Sequence, residues 1–183
     1  AFLGCSSLLK PESRRAVVFD IGGGSTELMW VDVGQGKRID DWLSINYGVM
    51  NLADKFGGQG FADVAFSDMT RLIAGYIAPF DAKNKIREAI AGSHVQLLST
   101  SGTVTTLAAI HLGLPRYDRA RIDGITLSVA DIRATTKKLL AMRPSERFNH
   151  PCIGADRADY ILSGCAIFDA ISALCEGGQI TIA

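Results

Sequence analysis

Asp20, Glu27 and the three glycines between them are the residues of this chain best suited to chemistry. The stretch reads Val17-Val18-Phe19-Asp20-Ile21-Gly22-Gly23-Gly24-Ser25-Thr26-Glu27-Leu28. An apolar run of the kind that fits a strand buried on both faces ends at Asp20, and a second, Leu28 to Val33, leads away. This is the pattern of a hairpin whose tip carries two carboxylates, two hydroxyls and bare backbone N–H groups. Glycine tolerates positive φ and lets an anion approach the backbone closely. Carboxylates do not bind phosphate, but they hold Mg²⁺ or another divalent cation, or orient a water. The tip therefore reads as a phosphate-plus-metal site. Gly22, Gly23, Gly24 and Ser25 are its candidate N–H donors, and Asp20 and Glu27 the candidate carboxylates for a metal or a water. It is not a Walker loop, because Gly-Lys-Ser/Thr is absent, and not a dinucleotide fingerprint, because a strand-like run follows the glycines where that motif needs a helix. A plain glycine turn is the alternative; acids at both ends and the Ser-Thr pair between them argue against it.

Two further stretches carry candidate ligand groups. His94 to Leu98 reads as a strand that runs into Ser99-Thr100-Ser101-Gly102-Thr103-Val104-Thr105-Thr106 and then a helix through Leu112. Backbone N–H groups at such a helix start can bind an anion, which makes Gly102, Thr103 and Thr105 candidates. An ordinary Ser/Thr cap explains the same hydroxyls, and the residues alone leave the two readings level. Arg157 opens the apolar helical pattern Gly154–Leu174. It either faces a ligand or pairs with the aspartates of a capped helix start, Asp156 and Asp159.

The elements that must position these groups follow from periodicity and turn signals. Strands are expected at about 16–20, 25–33, 37–45, 94–98 and 179–183, with 125–129 a short strand or a lead-in. Gly34-Gln35-Gly36 marks a hairpin turn, and Asp40 and Asp41 lie near a solvent edge. Helices are expected at 48–56, ended by Gly57–Gly60; at 68–91, where Pro79 is a point of kinking or splitting; and at 129–142. A short turn or helix starts at 143–147. Pro115 to Gly124, with Arg116, Arg119 and Arg121, reads as a solvated basic loop.

A length of 183 residues, 48% hydrophobic and 21% charged, suits one globular domain with a real core. The 19 basic and 19 acidic residues cancel, so charge makes no case for nucleic acid or an anionic membrane as partner. No apolar run reaches the ~18 residues of a transmembrane helix. Ala1 to Leu9 is apolar without a basic leader or an initiator Met, so the chain reads as a piece of a longer protein. Cys5, Cys152, Cys165 and Cys175 are scattered, which argues against zinc and for a reducing cytoplasm.

Asp20-Ile-Gly-Gly-Gly-Ser-Thr-Glu-Leu28 resembles the second phosphate motif of the exopolyphosphatase/guanosine pentaphosphate phosphohydrolase (Ppx/GppA) family, within the actin-like ATPase superfamily. Heat-shock chaperone ATPases carry a related Asp-Leu-Gly-Gly-Gly-Thr, and the Ser-Thr-Glu-Leu ending is what selects the phosphatase family. Ser101-Gly-Thr-x-Thr-x-Leu-Ala108 looks like the turn on the nucleotide side of the actin-like cleft. Gly48-x-x-x-Leu52 and the Arg157-Ala-Asp159 helix start occur in family order too. The resemblance implies an α/β fold: a ribonuclease-H-like (actin-like ATPase) lobe with a five-stranded mixed sheet, helices on both faces and the order βββαβαβα. Residues 1–14 would be an inter-lobe lead-in and 15–183 the C-terminal lobe of a two-lobe enzyme. The N-terminal lobe, with its Asp-x-Gly-Ser-Asn-Ser loop, and a glutamate base would lie before residue 1. The implied activity is release of the terminal phosphate from inorganic polyphosphate or guanosine pentaphosphate. Mg²⁺ would sit at Asp20 and Glu27, with Arg157 neutralising the substrate. Family members are commonly dimers, which makes a homodimer of the full-length protein an expectation. Two other roles stay open for an actin-like lobe: nucleotide sensing without hydrolysis, and phosphate transfer from ATP to a sugar or carboxylate.

Overall fold

The computed structural model describes residues 2–34, 36–57, 63–92 and 95–183. A short helix α1 (Phe2–Cys5) and a 3₁₀ turn lead into β1 (Arg15–Ile21), β2 (Thr26–Asp32) and β3 (Arg38–Ile45). Then come α2 (Val49–Lys55), α3 (Asp63–Asn84), α4 (Ile86–Ala91), β4 (Val95–Ser99) and α5 (Gly102–His111). The chain continues through β5 (Thr126–Ser128), α6 (Val129–Ala141), α7 (Pro144–Phe148), α8 (Ala155–Ala158), α9 (Ile161–Ser172) and β6 (Gln179–Ile182). His94 and 58–60, which belong to the expected strand start and helix terminator, lie outside the described residues.

Among the described residues the sheet is mixed and has six strands in the order β3-β2-β1-β4-β6-β5, not the expected five. The sixth is β5, three residues long, antiparallel to β6. A segment that short has too little alternation to be told from a lead-in; its pairing with β6 makes it a strand. β1 pairs parallel with β4, and β4 parallel with β6, while β1–β2 and β2–β3 are antiparallel.

Strand side chains alternate between faces. Val17, Phe19 and Ile21 of β1, with Leu28 and Trp30 of β2, enter a large core shared with Met69, Ile73 and Ile77 of α3, Leu107 of α5 and Phe168 of α9. Ala16, Val18, Met29 and Val31 face the other way, against Cys5 and Leu9 of the N-terminal segment. The two faces are thus unequally covered, five helices or more on one and α1 with its turn on the other. By the same alternation Asp20 and Glu27 share the thinly covered face.

Two expected helices are divided. The 68–91 segment breaks at Lys85, which adopts a left-handed conformation (φ 52), not at Pro79, which α3 accommodates. Pro79 deprives Gly75 of its helical N–H partner four residues ahead. Both residues are solvent-exposed, so water can satisfy that carbonyl. The 154–174 segment breaks between α8 and α9. That break sets Arg157 on a separate short turn at the mouth of a cleft.

Candidate active site

The parallel pairing of β1 with β4 builds the site. Phe19 lies opposite Ser99, and the Thr100 N–H donates to the Phe19 carbonyl at 3.0 Å. Two neighbouring strands therefore end at the same edge. The glycine loop leaves one and the Ser-Gly-Thr turn leaves the other, the location where open α/β sheets gather ligands. Ile21, Gly22 and Gly23, Val49 and Met50, Gly102 and Thr103, and Asp156, Arg157, Tyr160 and Ile161 line one cleft of 360 Å³. Four segments far apart in sequence thus meet there, and three of them contain the ligand candidates singled out above.

The loop is not held by left-handed backbone. The left-handed glycines among the described residues are Gly36, Gly57, Gly113, Gly124, Gly154 and Gly177, none of them in the loop. Nor is Gly22 a free donor: its N–H donates to the Ser25 carbonyl at 2.9 Å and closes the turn. This corrects the expectation of four donors. Gly23, Gly24 and Ser25 retain N–H groups with no acceptor among the described residues. The requirement for glycine falls most heavily on Gly48, in the N-terminal cap of α2. A Cβ there would lie 2.5 Å from the Gly23 carbonyl carbon and 2.6 Å from its oxygen, with the Gly22 oxygen nearer still.

Asp20 and Glu27 are directly opposed across β1 and β2. The Ser25 hydroxyl donates to Glu27 Oε1 at 2.6 Å. Burial raises the pKa of Asp20 above the usual carboxylate range; a hydroxyl hydrogen bond from Thr100 opposes this, and the Glu27 charge adds to it. A cation between these groups would relieve both the burial and the repulsion. The donor set fits Mg²⁺, which takes one or two carboxylates and completes its shell with water and phosphate oxygens. Among the described residues, no group of three or more His, Cys, Asp or Glu side chains forms a fuller cage. Asp20 and Glu27 do not line the 360 Å³ cleft. They occupy the opposite face of the sheet, and the glycine loop is the ridge between the two.

Arg157 reaches across to α5. Its Nη1 donates to Thr106 Oγ1 at 3.2 Å and to the Gly102 carbonyl at 3.5 Å, and the guanidinium lies 6.0 Å from the Tyr117 ring centre. The cap of α8 is Gly154 with no side-chain bond, so the aspartate-capped start does not form. At α5 the cap does form: Ser101 Oγ accepts from the Thr103 N–H at 3.1 Å. The Thr105 hydroxyl is turned inward, donating to the Gly102 carbonyl and accepting from Tyr117. Gly102 and Thr103 thus face the cleft while Thr105 braces the turn from behind.

Thr106, Tyr117, Ser163 and Asn51 also shape the site, beyond the residues expected from sequence. Thr106 follows Gly102 by one helical turn, a spacing that could have flagged it. Asn51 stands three residues after the Gly48 cap, a capping-box position. The Ser163 hydroxyl lies 2.6 and 2.7 Å from the Val49 and Tyr160 carbonyls, so its one proton can serve either, and the first of these bonds ties α9 to α2. Only tertiary packing reveals it.

The sequence model of the Ppx/GppA phosphatase family matches residues 1–183. Exopolyphosphatase 2 of Mycobacterium tuberculosis (strain H37Rv) is 24% identical over 176 residues, covering 94% of this chain and 51% of that protein. The chain thus spans about half the length of the curated relatives it matches. Among solved structures, the Aquifex aeolicus Ppx/GppA enzyme superposes over 100% of this chain and 57% of its own with a TM-score of 0.81 at 24% identity. An exopolyphosphatase from Cytophaga hutchinsonii does so over 100% and 57% with a TM-score of 0.79 at 22% identity.

Proposed function

Because this chain belongs to the Ppx/GppA phosphatase family, we propose that it forms one wall of the catalytic cleft of a phosphoanhydride hydrolase. The reaction releases the terminal phosphate of inorganic polyphosphate or guanosine pentaphosphate. The observation that carries this reading is the convergence of the glycine loop, the Gly102-Thr103 turn and Arg157 on one cleft. Water attacks the terminal phosphorus, the bond to the bridging oxygen breaks, and the products are inorganic phosphate and a chain shorter by one phosphoryl group. Such transfer depends on positioning and charge neutralisation more than on covalent chemistry.

In this scheme Gly23, Gly24 and Ser25 donate N–H groups to the terminal phosphate. Arg157 neutralises charge further along the substrate, held at its angle by Thr106 and Tyr117. Asp20 and Glu27 would hold a divalent cation such as Mg²⁺, whose contribution is to offset developing negative charge. The same carboxylates orient the attacking water. The second wall and the general base come from a further lobe. Ile21, Val49, Met50, Tyr160 and Ile161 give the cleft an apolar side, suited to the nucleoside of guanosine pentaphosphate, so both substrates belong in the test. The proposal extends to a homodimer of the full-length protein in the cytoplasm. Support for a reducing compartment is the state of the four cysteines, which are free and buried. Among the described residues no helix is long and apolar enough to cross a membrane.

The test is phosphate release by the full-length protein from each substrate. Asp20→Ala and Glu27→Ala are expected to lose a hundredfold or more in kcat, on the order of removing a main electrostatic group. Arg157→Ala is expected to raise KM. Wild-type turnover in the carboxylate variants would remove both residues from the mechanism.

A further inference from the structure

The face of the glycine loop turned away from its free N–H groups is bonded, carbonyl by carbonyl, to α2. The Gly22 carbonyl accepts from the Val49 N–H and the Gly23 carbonyl from the Met50 N–H, both at 2.9 Å. The Gly24 carbonyl accepts from the Asn51 side-chain amide, again at 2.9 Å. The same Asn51 amide donates to the Asn46 carbonyl at 3.1 Å, and its Oδ1 accepts from the Gly48 N–H at 2.7 Å.

These bonds fix more than the carbonyls. In a planar trans peptide the C=O of one residue and the N–H of the next point in opposite directions, and no peptide among the described residues is cis. Holding the carbonyls of Gly22, Gly23 and Gly24 against α2 therefore turns the N–H groups of Gly23, Gly24 and Ser25 away from it together. Successive N–H groups so directed form an anion-binding concavity. The helix start is not itself that site: its first N–H groups are already taken by the glycine carbonyls.

Two of the three clamps are backbone groups that ordinary substitution leaves in place. The third is a side chain. We infer that Asn51 is the positioning residue of the loop: by gripping the Gly24 carbonyl, it sets the Gly24–Ser25 peptide plane and so aims the Ser25 N–H at the terminal phosphoryl group. An amide suits this position because it must accept from Gly48 and donate to Gly24 and Asn46 at once. This rests on the hydrolase reading above for the identity of the anion, while the clamp itself is independent of turnover.

The discriminating variant is Asn51→Asp. A carboxylate still accepts from the Gly48 N–H, so the helix start survives, but it cannot donate to the Gly24 carbonyl. Asn51→Ala loses both functions. Both full-length variants are compared with wild type by titrating tripolyphosphate while following the Gly23, Gly24 and Ser25 amide signals, by KM for tripolyphosphate and by Tm. The measurements are made in about 1 M salt, where a Debye length of ~3 Å screens the added charge. In wild type, all three amides shift on binding. Both variants are expected to lose the Ser25 response and weaken binding about tenfold, the scale of one charge-assisted hydrogen bond, with KM rising in parallel. Asn51→Asp, which keeps the helix-start bond from the Gly48 N–H, is expected to lower Tm less than Asn51→Ala. If Asn51→Asp binds like wild type, Asn51 is a helix cap only and the inference falls, whatever the turnover. Absent wild-type turnover with the amide responses intact would overturn the hydrolase reading and leave Asn51's role standing.

Discussion

His150 shows how one side chain couples stability to pH. Its Nδ1 accepts the Cys152 N–H at 3.2 Å, which requires that nitrogen to be unprotonated. Burial draws its pKa below the ordinary imidazole value. The folded state therefore prefers the neutral ring. Above the unfolded pKa of about 6.5 the contribution is fully present. As pH falls through that value the unfolded chain takes up its proton first, and stability declines until the lower folded pKa is passed. Tm is accordingly expected to drop between about pH 7.5 and 5.5, and less so in His150→Gln. Equal slopes in the two proteins would assign the acid sensitivity elsewhere. Asp20 carries the opposite preference, since burial makes its folded state hold a proton more readily. The hydroxyl of Thr100 moderates that cost, and a bound cation would remove it.

The critical contacts between elements are made where side chains are missing. Gly48 lets α2 meet the glycine loop, and Gly164 lets α9 meet the start of α5. A Cβ at Gly164 would fall 2.8 Å from Thr103 Cγ2 and 3.1 Å from its Cβ, with Oγ1 closer. Gly48→Ala and Gly164→Ala are each expected to destabilise by about 1–3 kcal/mol, the cost of overpacking. Gly48→Ala should cost more, because backbone is harder to move than a threonine side chain. Gly75→Ala is the control: nothing lies within 4 Å of the added methyl, and helix propensity predicts a gain of up to ~1 kcal/mol. Denaturant titration of the three variants checks the order, and a Gly48→Ala protein as stable as wild type would show that the loop can shift freely. Elsewhere between elements, Asp41 joins β3 to the end of α3. It forms an ion pair with Lys83 at 2.9 Å and accepts from Asn84 at 2.7 Å. Arg133 fixes α6 to α9 through Asp169 and Ser172. Arg133 is therefore engaged structurally, while Arg116 lies exposed on a loop and Arg119 and Arg121 on an exposed 3₁₀ turn.

At the scale of the molecule, the carboxylates and Arg157 lie on opposite sides of the glycine ridge. A substrate touching both must pass over the loop, and the exposed position of Gly23 and Gly24 permits that. If a further lobe completes the cleft as proposed, one wall alone binds an anion weakly, because the open side leaves phosphate in competition with water. The 183-residue chain alone is therefore expected to release phosphate from polyphosphate at well under a hundredth of the full-length rate, an order set by the loss of positioned groups. Parallel assays of the two proteins decide this, and comparable rates would mean that the described cleft is catalytically sufficient.

The sequence by itself determined the local parts. Apolar runs of the right length marked the strands around Asp20 to Glu27, hydroxyls marked a helix start and glycines a helix end. The order of three motifs pointed to the family. What it left open depended on partners distant in the chain. Thr126–Ser128 becomes a strand only beside β6, and α3 passes Pro79 at an exposed position, where water can satisfy the freed carbonyl. Whether Ser101 or Asp156 would cap a helix was settled by packing, in favour of the first alone. The largest difference lies in the glycine stretch. Its composition raised the expectation of an anion site, but composition cannot orient a peptide plane. Hydrogen bonds from α2 orient these, and they exist because β1, β2 and β3 fold so that Gly48 and Asn51 arrive behind the loop.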